Sequence, residues 1–269
     1  MKSNMRMTRE ELRDMSSTID NLMDLGKKEE AEALLNQALD ASTHDQAYHL
    51  FFQAETALYL DKDHRQREYL LKNGLKEAPE DAFLMRNLGG GYLMDDRFAK
   101  ARRLFEKALE IEPNDADTLR DLGLLSSAKG HESRAIQWFQ KALAVKPDDN
   151  DSLRQIGVCY SKLGNDQEAI CWFHRALGCQ DQDYDAMRQM GISHAMLKDY
   201  DSAISWLDRA IEINPGDLDS RRNLRLVKQK QSGKGVTFVD AIMVRLVRRC
   251  SLAWRRLVDR LDQLFKEQA

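Results

Sequence analysis

The chain has 269 residues and sets 41 Lys and Arg against 44 Asp and Glu, for a formal charge of −3. That near balance argues against a general phosphate-backbone binder, which needs a strong basic excess. Charged residues at 32% and hydrophobic ones at 42% indicate a folded chain, and four prolines and fourteen glycines are too few for a turn-punctuated all-β fold.

No apolar run approaches the ~18 residues of a membrane span. The opening MKSNMRMTREELRDM has no apolar core, so no secretory signal is expected. Cys159, Cys171, Cys179 and Cys250 show no CxxC spacing, and the six histidines form no HExxH or HxxxH pair. There is no GxSxG or P-loop pattern, and Gly89-Gly90-Gly91 lacks the Lys-Ser/Thr that a phosphate loop requires. The expectation is a non-enzymatic protein with no metal or cofactor, with reduced thiols and a cytoplasmic location.

A period of 34 residues organises the chain. Pro79, Pro113 and Pro147 are 34 apart, Pro215 lies two periods further on, and Asp181 takes the skipped place. In chain order, residues 1–81 read as two degenerate helix-pair repeats. Residues 12–45 keep Gly26, Ala31 and Ala38 at the right mutual spacing. Residues 48–81 carry Arg67 and Gly74 where alanine is expected.

Residues 82–217 hold four strong units: 82–115, 116–149, 150–183 and 184–217. Their eighth residues are Gly89, Gly123, Gly157 and Gly191, and their twenty-fourth are Phe105, Phe139, Phe173 and Leu207. Alanine recurs at the twentieth and twenty-seventh positions. Apolar residues follow a 3.6 period in each half, so each unit is two antiparallel helices, A and B, with small residues where they approach closely. Asp81, Asp115, Asp149, Asp183 and Asp217 precede the A helices as N-caps worth about 1 kcal/mol each. The proline before each cap ends the previous B helix.

Residues 218–231 continue the helix A phase and turn polar, as a capping helix. Residues 232–236, which include Ser232-Gly233-Lys234-Gly235, form a flexible linker. Residues 237–269 read as a basic amphipathic helix. Its apolar positions include Val239, Met243, Leu246, Leu257 and Leu261. Arg248, Arg249, Arg255 and Arg256 lie on its polar face and Trp254 near its middle.

Met85-x2-Leu88-Gly89-x2-Tyr92, followed by Ala101-x3-Phe105, Ala108 and Pro113, resembles the tetratricopeptide repeat, and the three later units repeat the pattern. The resemblance covers 82–217. It implies an all-α solenoid of stacked antiparallel helix pairs, wound as a right-handed superhelix, here with a long C-terminal amphipathic helix. It also implies that positions 2, 5, 9, 12 and 13 of helix A line a concave face that holds a protein segment.

Position 5 is Arg86, Arg120, Arg154, Arg188 and Arg222. Position 6 is Asn87, Asp121, Gln155, Gln189 and Asn223, and position 9 is aliphatic at Leu124, Val158 and Ile192. The expected ligand is an extended acidic or apolar peptide held by guanidinium forks, backbone-binding amides and an aliphatic strip. The competing reading is structural. Asp117, Asp151, Asp185 and Asp219 each lie three residues before an arginine, where intrahelical ion pairs form. On the ligand reading, replacing Arg120, Arg154 and Arg188 by Glu is expected to leave stability nearly unchanged.

Trp138, Trp172 and Trp206, also 34 apart, are expected to pack between pairs, the alternative being a strip for a partner. For 237–269 three readings are open: packing in cis or in a homo-oligomer, binding an anionic membrane surface, and binding another protein. The functional expectation is an adaptor, scaffold or chaperone-like module, the alternative being a peripheral membrane-associated or self-assembling scaffold. No nucleic acid partner is expected.

Overall fold

The computed structural model describes residues 7–232. Among them are thirteen α-helices and no strand. They are α1 Arg9–Asp24, α2 Lys28–Ala41, α3 Gln46–Tyr59, α4 His64–Glu77, α5 Ala82–Met94, α6 Phe98–Ile111, α7 Ala116–Ala128, α8 Glu132–Val145, α9 Asn150–Lys162, α10 Asp166–Cys179, α11 Tyr184–Met196, α12 Tyr200–Ile213 and α13 Leu218–Gln231. A single 3-10 turn, Ser42–His44, precedes α3.

The helices form two compact units, α1–α6 and α7–α13, divided between Pro113 and Asn114. Within each unit successive helices pack in pairs and each pair packs on the next, which is the α-solenoid architecture. The amphipathic segment expected over 237–269 lies outside the described residues.

Local chemistry explains where the helices begin and end. Asp81, Asp115, Asp149, Asp183 and Asp217 each accept a backbone N–H from the first turn of an A helix. That supplies partners for donors left without one inside the helix. Thr8 and Glu11 close a reciprocal capping box at the start of α1. At the turn from helix A to helix B the chain passes through the left-handed region in every pair: Gly26, Lys62, Asp96, Gly130, Gly164 and Lys198 all have positive φ. Only half of these are glycine, so Lys62, Asp96 and Lys198 hold a conformation that disfavours a side chain.

Helix A and helix B of a pair meet at the eighth and twenty-fourth positions. A Cβ built on Gly123 would stand 2.5 Å from Phe139 Cε1, and one on Gly157 2.5 Å from Phe173 Cε1. The phenyl rings occupy the space that a Cβ would need and are fully buried. Phe139 also reaches Ile156 and Cys159 of the next pair, so one side chain joins two pairs, and its burial contributes about 1.5–3 kcal/mol.

In the first unit, Tyr48, Phe51, Phe52 and Phe83 form an aromatic cluster with centroids 4.9–6.3 Å apart. The α3–α4 pair departs from the repeat. Glu55 and Arg67 occupy the places of the close-packing glycine and alanine, and they form a buried ion pair at 3.3 Å.

Candidate functional site

In the second unit the first helix of each pair touches the first helix of the next: α7 meets α9, α9 meets α11 and α11 meets α13. These A helices therefore share one face. The sequence places on it Arg120, Arg154, Arg188 and Arg222, the amides Gln155, Gln189 and Asn223, and the aliphatic Leu124, Val158 and Ile192. All ten are half-buried. In the first unit Arg86 and Asn87 hold the same positions on α5; Arg86 lies over the Phe83 ring at 5.3 Å, and Asn87 Nδ2 donates to the Phe83 carbonyl.

Each of three arginines of the ladder lies between two aspartates. Arg120 pairs with Asp117 at 2.8 Å and with Asp149 at 3.0 Å. Arg154 pairs with Asp151, and its Nε lies 3.2 Å from Asp183. Arg188 pairs with Asp185, and with Asp217 at 2.8 Å. The first partner of each sits one helical turn back, as the structural reading of the spacing allows. The second partner is the cap of the following A helix, which the sequence reading did not connect to the ladder. The signal was present as a constant offset of 29 residues between each arginine and that cap.

The two kinds of aspartate differ in burial. Side chains of Asp149, Asp183 and Asp217 are 6%, 8% and 11% exposed. Those of Asp117, Asp151 and Asp185 are 40%, 52% and 29% exposed. Burial opposes the charge on Arg120, but Asp117 and Asp149 outweigh it and hold its guanidinium above the ordinary arginine range. The same balance raises Arg154 and Arg188. At Asp217, burial is outweighed by hydrogen bonds from Ser220 and Arg188, and its carboxyl lies below the usual range.

The guanidinium groups are thus bound within the fold, which corrects the expectation that Glu at Arg120, Arg154 and Arg188 would leave stability unchanged. Such a Glu would face two carboxylates, one of them buried, and like charges at that range repel.

Leu124 packs against the Ala135, Ile136 and Phe139 cluster and Val158 against Ala169, Ile170 and Phe173, while each keeps part of its surface open. The tail residues Arg248, Arg249, Trp254, Arg255 and Arg256 lie outside the described residues.

Two tetratricopeptide repeat profiles match the chain, over residues 82–148 and 184–217. Over those residues the chain carries tetratricopeptide repeats. Solved structures like it include PilW, a widely conserved type IV pilus biogenesis factor, at 20% identity and TM-score 0.64, covering 70% of this chain and 87% of that one. The pilF protein of Pseudomonas aeruginosa matches at 18% identity and TM-score 0.58, over 84% of this chain and 99% of that one. YrrB, a TPR protein with an unusual peptide-binding site, matches at 20% identity and TM-score 0.50, over 71% of this chain and 98% of that one. These likenesses are of fold. No curated protein matches the chain.

Tetratricopeptide folds are protein-interaction modules. In this repeat protein Trp172 and Trp206 of the tryptophan column serve the packing of pairs. Trp172 packs on Leu153, Ala176 and Ala186 and stacks on Tyr160, with ring centroids 6.4 Å apart. A cation one turn on covers each indole: Lys141, Arg175 and Arg209 lie 4.2, 4.3 and 4.5 Å from the Trp138, Trp172 and Trp206 rings.

Proposed function

We propose that this tetratricopeptide protein is a non-enzymatic adaptor or scaffold whose second unit holds a partner's segment along the shared face of α7, α9 and α11. The observation that carries this reading is the placement, on three successive A helices, of a half-open aliphatic side chain beside a half-buried arginine and its aspartates. The pattern repeats from helix to helix, and a segment running across the helices meets it again at each step. Neighbouring packed helices lie ~8–10 Å apart and an extended chain advances ~3.3–3.6 Å per residue, so one rung meets about every third residue of a bound peptide. The description of YrrB as a peptide binder supports the reading at the level of fold.

The charge of the face bears on the ligand. Two carboxylates surround each of Arg120, Arg154 and Arg188. An acidic peptide therefore has to displace Asp117, Asp151 or Asp185 to reach a guanidinium. A segment with apolar and basic side chains meets the surplus carboxylate directly. We accordingly assign the face to apolar segments with basic flanks in preference to acidic ones.

Fluorescence anisotropy with labelled peptides of matched length tests this. Basic-apolar peptides are expected to bind, to weaken in high salt, and to weaken again with Asp117→Asn, Asp151→Asn and Asp185→Asn combined. Equal or tighter binding of acidic-apolar peptides would overturn the assignment of charge, and no binding by any peptide would overturn the docking face.

A further inference from the structure

Two features of the molecule bear on what occupies this face. The first is the face itself: one more carboxylate than guanidinium on each of three rungs, with Leu124, Val158 and Ile192 between them. The second is the chain beyond α13. Residues 237–269 carry seven basic side chains against four acidic ones, with apolar residues at spacings of 3 and 4. This is the complementary pattern in charge and in apolar content.

Resting on the docking face described under Proposed function, we infer that residues 237–269 of this same chain dock in cis across α7, α9 and α11. Their arginines lie over the aspartates of the rungs and their apolar stripe lies on Leu124, Val158 and Ile192.

Three considerations favour the chain's own tail. The segment starts close to the face, since α13 touches α11 and ends at Gln231. Residues 233–236 can bridge ~13 Å when extended. Were the segment helical, as its sequence pattern leads one to expect, 30 residues would reach ~45 Å, enough to cross three A helices spaced ~8–10 Å apart.

Charge also decides against the nearest alternative surface in the chain. In a further repeat, 237–269 would supply a helix B against the outer side of α13. That side exposes Arg221 and Arg225, which repel a basic segment. Finally, tethering holds the tail at an effective concentration of about 1 mM, so even a weak site of ~0.1 mM is about nine-tenths filled. The tail then acts as an internal competitor that any partner must displace.

Hydrogen exchange of the full chain tests the inference, comparing wild type with Arg248→Glu, Arg249→Glu, Arg255→Glu and Arg256→Glu combined. None of these positions lies in α1–α13, so circular dichroism should show the repeats intact. A tail at about 1 mM on a ~0.1 mM site protects by about tenfold, so amides of α7, α9 and α11 should exchange about tenfold faster in the variant. Solution mass should stay that of one chain in both proteins. Unchanged exchange in the three helices would overturn the inference. So would a faster exchange accompanied by a fall from dimeric to monomeric mass, which assigns the tail to a second copy. Vesicles of anionic lipid that bind wild type but not the variant, with exchange in the helices unchanged, would assign it to a membrane instead.

A basic-apolar peptide titrated into both proteins separates this claim from the one beneath it. Tighter binding to the variant supports the tail as competitor, and equal binding to both sinks the tail alone. Binding to neither sinks the docking face.

Discussion

The guanidinium of Arg120 lies 3.0 Å from Oδ1 of Asp149, while Oδ2 of the same carboxylate accepts the backbone N–H of Ser152. One oxygen starts α9 and the other holds α7. The two duties separate by substitution. Asp149→Asn keeps a good capping side chain and loses the ion pair, which is neither fully exposed nor fully buried, so about 1–2 kcal/mol of stability is expected to go. Asp149→Ala loses the cap as well, about 1 kcal/mol more. Arg120→Gln should match Asp149→Asn more closely than Asp149→Ala. Urea unfolding of the three variants checks the order.

Adjacent glycines in α5 should respond in opposite directions. A Cβ on Gly89 would stand 2.6 Å from Phe105 Cε1, whereas one on Gly90 would meet nothing within 4 Å. Gly89→Ala overpacks a fully buried contact and should cost about 1–3 kcal/mol. Gly90→Ala relieves a mid-helix glycine and should stabilise by about 0.5–1 kcal/mol. Thermal melts of the two single variants read the sign directly.

Lys198 carries φ of +64° at the turn where Gly130 and Gly164 stand in the preceding pairs. Lys198→Gly is expected to stabilise by about 0.5–1 kcal/mol, because relief of the left-handed strain exceeds the entropy that glycine adds to the unfolded chain. The same change at exposed Lys129, whose φ is −86°, should not stabilise; paired urea titrations of the two variants decide it.

Burial pushes the Glu55 carboxyl up to about 7, although Arg67 pulls the other way. A raised carboxyl binds its proton more tightly in the folded chain than in the unfolded one. Its contribution to stability is therefore fully present below the ordinary value of 4.5 and is lost as pH rises through about 7. Urea midpoints of the wild type should fall across that window, and Glu55→Gln should flatten this part of the profile. Replacing the pair together, Glu55→Leu with Arg67→Met, should be neutral or stabilising by about 1–4 kcal/mol. Glu55→Leu alone leaves a buried guanidinium and should cost about 3–5 kcal/mol.

Much of the fold was legible because its determinants recur. Gly123 and Gly157 each need space for a ring, Asp149 and Asp183 each begin a helix, and a recurring need shows as a column even in one sequence. The site was legible in composition but not in partnership. The intrahelical Asp117–Arg120 spacing is short and visible as a helical turn, whereas the Arg120–Asp149 pair joins residues that only the stacking of α7 on α9 brings together. The Glu55–Arg67 pair escaped for the opposite reason. Arg67 looked like a failure of the alanine column and Glu55 was not singled out, and only their contact shows one departure compensating the other. The left-handed turn was hidden because Lys62, Asp96 and Lys198 adopt it without the residue type that would announce it.

The double use of each cap has a consequence for how the second unit comes apart. Asp217 belongs to the start of α13, yet it neutralises Arg188 in α11. When α13 frays, Arg188 is left half-buried with Asp185 alone, and the helix that supplies Asp183 to Arg154 is weakened in its turn. Loss at the C-terminal end is passed back from one pair to the one before it. The unit should therefore tend to let go as a block, with the last A helix as its latch.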